Sequence, residues 1–230
     1  MLNKEKLPEH IAFIVDGNRR WAEKKKLPLD EGHRKGSEVA LRVIEDCLKL
    51  NIGVLTFYLF STENWKRKES EITFLMQLGI DLLKTRTGYI HSKGIRIRGV
   101  GRIDELQENL RDLIHYAERL TKENRKMVVN LAINYGARRE IIDAVNKILA
   151  EGSLKKVDER IFSRYLYTAG LPDPDLLIRT SGEYRLSNFL LWQIAYTEIV
   201  ILPELWPELS REKLYEAIRE FQRRQRRWGK

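Results

Sequence analysis

Apolar positions fall into two patterns that alternate along the chain: unbroken apolar runs of strand length, and stretches with apolar residues every three or four positions. Ile11 to Val15 is the first run and predicts a buried strand. It ends in Asp16-Gly17-Asn18-Arg19-Arg20-Trp21, a glycine turn leading toward a helix. After Glu31-Gly32-His33-Arg34-Lys35-Gly36, the residues Val39, Val43, Ile44, Cys47, Leu48 and Leu50 mark one helix face. Val54 to Phe60 predicts a second buried strand, followed by Ser61-Thr62-Glu63-Asn64-Trp65-Lys66-Arg67. Helical spacing resumes from Glu71 to about Ser92.

The alternation continues to the end. Ile95 to Gly101 predicts a third strand, and a helix starts at Asp104. Met127 to Tyr135 predicts a fourth strand, and Arg138 to Glu151 a helix. A short helix spans Glu159 to Tyr167, and Leu176 to Arg179 is a short strand. The last strand lies within Ile194 to Leu202, and Ser210 to Arg227 is a terminal helix. The expectation is one α/β domain over residues 1–230, with a largely parallel central sheet of about six strands flanked by helices.

Composition changes this picture in three ways. A net charge of +9 suits an anionic partner: nucleic acid, an acidic membrane surface or a phosphorylated small molecule. One cysteine, Cys47, rules out an internal disulfide and suits the cytoplasm. No apolar run reaches the ~18 residues of a membrane span, and the first residues lack the apolar core of a signal peptide. The four histidines, His10, His33, His91 and His115, show no zinc-ligand spacing.

Chemistry-bearing residues gather at strand ends, which lie on one edge of a parallel sheet. Arg19 and Arg20 offer forks for phosphate beside a turn whose backbone N–H groups favour an anion. Asp16 repels phosphate, a conflict that a hard divalent cation resolves, Mg²⁺ by default. At the second strand end, Trp65 can wall a site, while Ser61 or Thr62 also suits a helix cap. At the third, Arg179 needs an anionic partner, from a ligand or from Glu183 or Glu198. Arg185 and Ser187 add a fork and a hydroxyl two residues apart. The helices after the first and second strands carry more apolar side chains than a thin sheet cover needs. Together these suggest a substrate with a charged head and a hydrocarbon tail.

The segments HIAFIVDGNRRWA, GHRKG, FSTENWKR, VVNLAINYGARREI, DLLIRTSGEYRLSNFLLWQIAYTE and LWPELS, in this order, resemble the cis-prenyltransferases, most of all the undecaprenyl diphosphate synthases. The resemblance implies Mg²⁺-dependent condensation of isopentenyl diphosphate onto an allylic diphosphate, with farnesyl diphosphate the expected primer. The implied product is a Z-polyprenyl diphosphate, undecaprenyl diphosphate for the cell-wall lipid carrier. Position by position, Asp16 matches the aspartate that engages Mg²⁺ and the diphosphates. Gly17, Asn18, Arg19, Arg20, Trp21 and His33 match contacts of the allylic diphosphate. Ser61, Thr62, Glu63, Asn64, Trp65 and Arg67 match a segment that closes over the substrates. Arg179, Arg185, Leu186 and Ser187 match the isopentenyl diphosphate pocket. Glu198 matches a metal ligand near a dimer contact. A homodimer with an apolar tunnel in each subunit is implied, as is a cytoplasmic protein with peripheral contact at the inner membrane face for product release.

The chain also departs from the family pattern. Arg19 stands where many bacterial members have glycine. Leu29 belongs to the substrate-contacting set, where arginine is frequent, and offers phosphate no polar contact. Tyr184 replaces a histidine metal ligand found in some members. Leu59 is bulkier than the alanine of long-chain members, which points to a limit on product length if it faces the tunnel. Asn64 matches a residue assigned as proton acceptor; an amide is too weak a base, so an orienting role is expected, with a diphosphate oxygen or water taking the proton. The rival readings are a shorter-chain synthase, a non-catalytic partner subunit and a nucleic-acid-binding domain. A partner subunit should lack Asp16 or the Arg/Ser set, and nucleic-acid binding leaves the carboxylate among the arginines unexplained.

Overall fold

The computed structural model describes residues 2–153 and 156–224. Six strands form one sheet: β1 His10–Ile14, β2 Val54–Ser61, β3 Ile95–Val100, β4 Met127–Tyr135, β5 Leu176–Arg179 and β6 Glu198–Ile201. The helices are α1 Asn18–Lys25, α2 Leu29–Lys49, α3 Glu69–Ser92, α4 Glu108–Thr121, α5 Ala137–Glu151, α6 Glu159–Ser163 and α7 Arg211–Arg223. Strand order is β3-β4-β2-β1-β5-β6, and every pair is parallel. The largely parallel sheet expected from the alternating pattern is wholly parallel.

Boundaries differ where end chemistry overrides periodicity. Ile103–Glu105 is a 3-10 turn, so α4 begins at Glu108 rather than Asp104. The short helix stops at Ser163, and only Glu198–Ile201 of the Ile194–Leu202 stretch is strand. Ser210 caps α7, its hydroxyl accepting the Lys213 N–H, and residues 225–227 of the expected helix lie outside the described residues.

The two faces of the sheet hold separate cores. On one, Phe13 and Phe57 stack at 5.1 Å, and Trp206 meets both edge-on. On the other, Tyr58, Tyr135 and Phe189 pack together. A buried polar row crosses the sheet between them. His10 Nδ1 is 2.8 Å from the Pro172 carbonyl, and Nε2 is 2.7 Å from Thr56 Oγ1. Because the carbonyl can only accept, Nδ1 carries the proton and Nε2 accepts from Thr56. Asn130 then donates to the Thr56 hydroxyl at 2.8 Å.

β2 breaks its alternation at one place. Its pairing with β4 skips from Tyr58 to Phe60, leaving Leu59 as an extra residue. Strict alternation would turn Tyr58 and Phe60 to the same face, opposite Leu59. The bulge corrects that expectation: Tyr58 faces the second core, while Leu59 and Phe60 both line a cavity under α2 and α3.

Candidate active site

The strand order puts the carboxyl ends of β2, β1 and β5 side by side, where parallel α/β sheets place ligands. The β1–α1 turn is forced into close quarters. Gly17 has φ +109°, and a Cβ there would stand 2.4 Å from Ser181 Oγ. Gly32 and Gly36, one turn apart on α2, let Asn18 seat against that helix; a Cβ on either would strike Asn18 oxygens within 2.3 Å. The glycines of the GHRKG segment therefore position the start of α1.

Two groups of charged side chains form on this edge. In the first, Arg179 Nη2 donates to Asp16 Oδ2 at 2.8 Å, and Nη1 donates to Ser187 Oγ at 2.9 Å and to the Arg185 carbonyl. Arg20 lies 3.1 Å from Glu183 Oε1 and 3.7 Å from Asp16 Oδ1, and Arg185 pairs with Glu183. Thr180 Oγ1 donates to the Asp16 carbonyl at 2.7 Å, fixing the turn. In the second group, Glu71 of α3 gathers Arg67 at 2.8 Å, Arg19 at 3.5 Å and His33 Nε2 at 3.9 Å. Burial, and secondly the Arg67 charge, lower the His33 pKa to about 4, so the imidazole is neutral at pH 7. Leu29, Glu63 and Asn64 line the same polar recess as Arg19 and Arg67.

Other predicted residues take supporting places. The segment after β2 is a 3-10 turn, Thr62–Lys66, closed by a capping box in which Asn64 Oδ1 accepts the Ser61 N–H at 3.0 Å. The cap expectation for this segment is met by Ser61 and Asn64, while Trp65 lines neither the polar recess nor the apolar cavity. Trp65 stacks edge-on against Phe60 and donates from its indole N–H to Asn134 Oδ1 at 2.8 Å. Asn188 ties the segment down, donating to Glu63 at 2.9 Å while accepting the Arg138 N–H at the start of α5. Leu186 packs on the second core, Trp21 is half-buried and Tyr184 is exposed. Glu198 does not join Asp16 within one chain. It opens β6 at the amino end of the sheet, beside Leu176, and pairs with Arg224 at 3.0 Å.

Glu71 is the site residue that sequence reading passed over. Its signal was present: it lies four residues after Arg67 at a helix start, the spacing of an ion pair on one face. Asn134 was also missed, and nothing in its local pattern marks it; Asn188 closes the polar run that follows β5 in the sequence.

Behind the charged edge lies an apolar cavity of about 230 Å³ between α2, α3 and the sheet. Val15, Asn18 and His33 stand at its mouth, and Leu59, Leu83 and Ile90 are among its walls. Four buried polar atoms at this edge have no hydrogen-bond partner among the described residues: Asn18 Oδ1, His33 Nε2, Arg179 Nε and Ser181 Oγ.

The fold is a parallel α/β sheet whose charged carboxyl edge lies beside an apolar cavity. Residues 14–229 match the family described as "Putative undecaprenyl diphosphate synthase", and the chain belongs to that family of isoprenyl transferases, a prenyltransferase with the cis-prenyltransferase fold. It is 48% identical to the isoprenyl transferase of Heliobacterium mobile, over 99% of this chain and 90% of the relative. It is 44% identical to the isoprenyl transferase of Aquifex aeolicus, over 98% of this chain and 97% of the relative. Among solved structures, lavandulyl diphosphate synthase from Lavandula x intermedia, in complex with dimethylallyl diphosphate, superposes with a TM-score of 0.95 at 36% identity, covering 98% of this chain and 100% of that one. A probable undecaprenyl diphosphate synthase from Campylobacter jejuni gives 0.82 at 34% identity, covering 97% and 99%.

Proposed function

We propose that this chain condenses isopentenyl diphosphate units onto an allylic diphosphate, farnesyl diphosphate by preference, and releases a Z-polyprenyl diphosphate. The carrying observation is the meeting of two unlike surfaces. The Arg179–Asp16–Arg20 cluster, in which Arg179 Nε is buried and unpartnered among the described residues, adjoins Val15 and Asn18, which line a cavity walled by apolar side chains. A diphosphate head on a prenyl tail fits both at once.

In this reading Arg19, Arg20, Arg67 and the backbone N–H groups of the β1–α1 turn hold the allylic diphosphate as its bond to C1 breaks. Arg185 and Ser187 orient the isopentenyl diphosphate so that its double bond faces that carbon. One C–C bond forms, diphosphate leaves, and one proton is lost to a diphosphate oxygen or water. Asn64 orients the segment over the reacting carbons by capping its turn. Neutral His33 supplies a polar wall at the tail end of the head group without adding charge.

The donor chemistry fits Mg²⁺. Asp16 Oδ1 is 3.7 Å from Arg20, beyond hydrogen-bond range, and keeps lone pairs for a hard cation. Among the described residues no three acidic, His or Cys side chains gather, which matches an ion held by one carboxylate and substrate phosphates. When bound, Mg²⁺ stabilises negative charge on the departing diphosphate.

A homodimer is part of the proposal. β6 is an edge strand, and Ile142, Val145 and Leu149 on α5 with Tyr184 and Tyr196 in the β5–β6 connection are exposed apolar side chains. Glu198 sits on that edge strand, so any metal contact it makes comes through a second copy. Among the described residues no helix is long and apolar enough to cross a membrane, and product release is proposed to use peripheral membrane contact at the cytoplasmic face. Undecaprenyl diphosphate, the cell-wall carrier precursor, is the product proposed. A shorter product is the second reading, favoured by Leu59 on the bulge in the cavity wall.

The test is incorporation of labelled isopentenyl diphosphate by purified protein with Mg²⁺ and primers of different length, products being separated by size. Primer-dependent polyprenyl products, lost with chelator, are expected. Folded protein that incorporates no label with any primer overturns the reading.

A further inference from the structure

Three segments meet at the carboxyl edge beside the start of α5. They are the Thr62–Lys66 turn after β2, the β4–α5 turn at Gly136, and residues 187–190 of the β5–β6 connection. The approach is close: a Cβ on Gly136 would stand 2.6 Å from Thr62 Oγ1 and 2.8 Å from Asn188 Nδ2. Residues 187–190 hold an uncommon backbone, with Ser187 at φ +51°, Asn188 at +62° and Leu190 at +46°. Such left-handed residues persist where surrounding contacts fix them. Here the Tyr58 hydroxyl donates to the Ser187 carbonyl at 3.2 Å. The first two N–H groups of α5 add to this: Ala137 donates to the Asn188 carbonyl at 2.8 Å and Arg138 to Asn188 Oδ1 at 2.9 Å.

With its carbonyl and Oδ1 engaged by α5, Asn188 turns its Nδ2 to Glu63 Oε1 and donates at 2.9 Å. The Thr62–Lys66 turn buries none of its own residues. Among the described residues, two hydrogen bonds reach its side chains from other elements. The bond from Trp65 goes to Asn134, which donates to the Arg102 carbonyl toward the β3 edge of the sheet. The bond from Asn188 leads the other way. Ser187, the preceding residue, accepts from Arg179, which donates to Asp16. On the turn itself, Glu63 and Asn64 line the recess shared with Arg19 and Arg67. One side chain thus joins the segment beside one charged group to the backbone turn of the other.

We propose that Asn188 is a positioning residue that couples the two diphosphate pockets. An anion bound beside Ser187 firms the 187–190 turn, and Asn188, through Glu63, passes that order to the segment over the allylic site. The coupling rests on the two substrates proposed above. A ligand shifts the segment only as far as contacts differ between its docked and released states, and the Asn188–Glu63 bond is such a difference. Coupling is reciprocal, so each ligand should tighten the other.

The test is calorimetric binding of farnesyl thiolodiphosphate, an allylic analogue whose bridging sulfur resists ionisation, with Mg²⁺ and with or without saturating isopentenyl diphosphate. The readout is the ratio of the two affinities. In the wild type, isopentenyl diphosphate is expected to tighten the analogue about fivefold, the lower end of ordinary coupling. Asn188→Asp keeps an oxygen for the Arg138 N–H at a helix start, where a carboxylate is favoured, and sets a like charge against Glu63. Its ratio should fall to unity with the melting temperature unchanged. Glu63→Gln alone keeps an acceptor for Asn188 and should keep the wild-type ratio. Combined with Asn188→Asp, it places an amide donor against the new carboxylate and should restore the ratio. A wild-type ratio in Asn188→Asp overturns the coupling, as does a loss that the folded double variant fails to restore. Should Asn188→Asp fail to fold, Glu63→Ala removes an exposed acceptor while α5 stays capped, and a wild-type ratio there also overturns it. If the wild type binds neither ligand, the proposed function fails and the coupling falls with it; binding of both with a ratio of unity removes the coupling alone.

Discussion

Arg179, at the end of β5, donates to Asp16, just past the end of β1, at 2.8 Å, and its side chain is only 3% exposed. The pair joins two neighbouring strands, next to Val15 of the cavity lining. Asp16 neutralises a buried cation, and under the proposed function it also engages the ligand. Asp16→Asn keeps an acceptor for Arg179 and is expected to fold while losing turnover by a factor of about 10² or more, since ligand-charge stabilisation is lost. Asp16→Ala is expected to cost about 2 kcal/mol of stability as well. That lies below the ~3–5 kcal/mol of a fully buried pair, because Arg179 retains Ser187 and the Arg185 carbonyl. Steady-state rates and urea denaturation of both variants check this. Normal turnover in folded Asp16→Asn would refute the assignment.

Arg185→Ala and Ser187→Ala should raise KM for isopentenyl diphosphate more than for the allylic primer. Arg185 is exposed and pairs with Glu183, so its loss should leave the fold unchanged. Ser187 accepts from Arg179, so its alanine variant also removes one partner of that buried guanidinium. The split between the two Michaelis constants is the measurement. An equal change for both substrates would contradict the pocket assignment.

Leu59→Ala should lengthen the product distribution at little cost in stability. Leu59 is 40% exposed and lies on a bulge in the cavity wall, so truncation opens space already present instead of leaving a void in packed core. A loss below about 2 kcal/mol is expected, under the ~2–5 kcal/mol of a buried leucine. Product sizing and melting temperature, taken together, decide. A large stability loss with unchanged products would remove Leu59 as a length determinant.

Acid should loosen the sheet through His10. Burial lowers its pKa from 6.5 to about 4, against the opposing Pro172 hydrogen bond and Asp175 charge. The folded chain holds the ring neutral, so this contribution is full above about pH 6.5 and shrinks as pH falls toward 4, where protonation competes with the Thr56 hydrogen bond. Integrated over that window it amounts to about 3 kcal/mol at most. His33, lowered to a similar value, acts in the same direction. Urea midpoints at several pH values for wild type and His10→Asn check this. A wild-type slope between pH 6.5 and 4 no steeper than that of His10→Asn would contradict it.

The alternating pattern of apolar runs and helical faces was enough to read the α/β class, the strands and most helix cores, because burial on two faces and on one face leaves different periods in the chain. The carboxylate, glycine and arginines after β1, and Arg179 after β5, were legible for the same local reason: polar residues directly ending a buried run. What tertiary structure decided is which ends meet. The order β2-β1-β5 brings Asp16 to Arg179, 163 residues apart in sequence, and the parallel register sends Glu198 to the opposite edge. Glu71, the extra residue at Leu59 and the bond from Asn188 to Glu63 likewise depend on how whole elements dock. Local sequence sets which side chains a strand or helix offers; long-range packing sets the distances between them, and charge pairing and cavity shape depend on those distances.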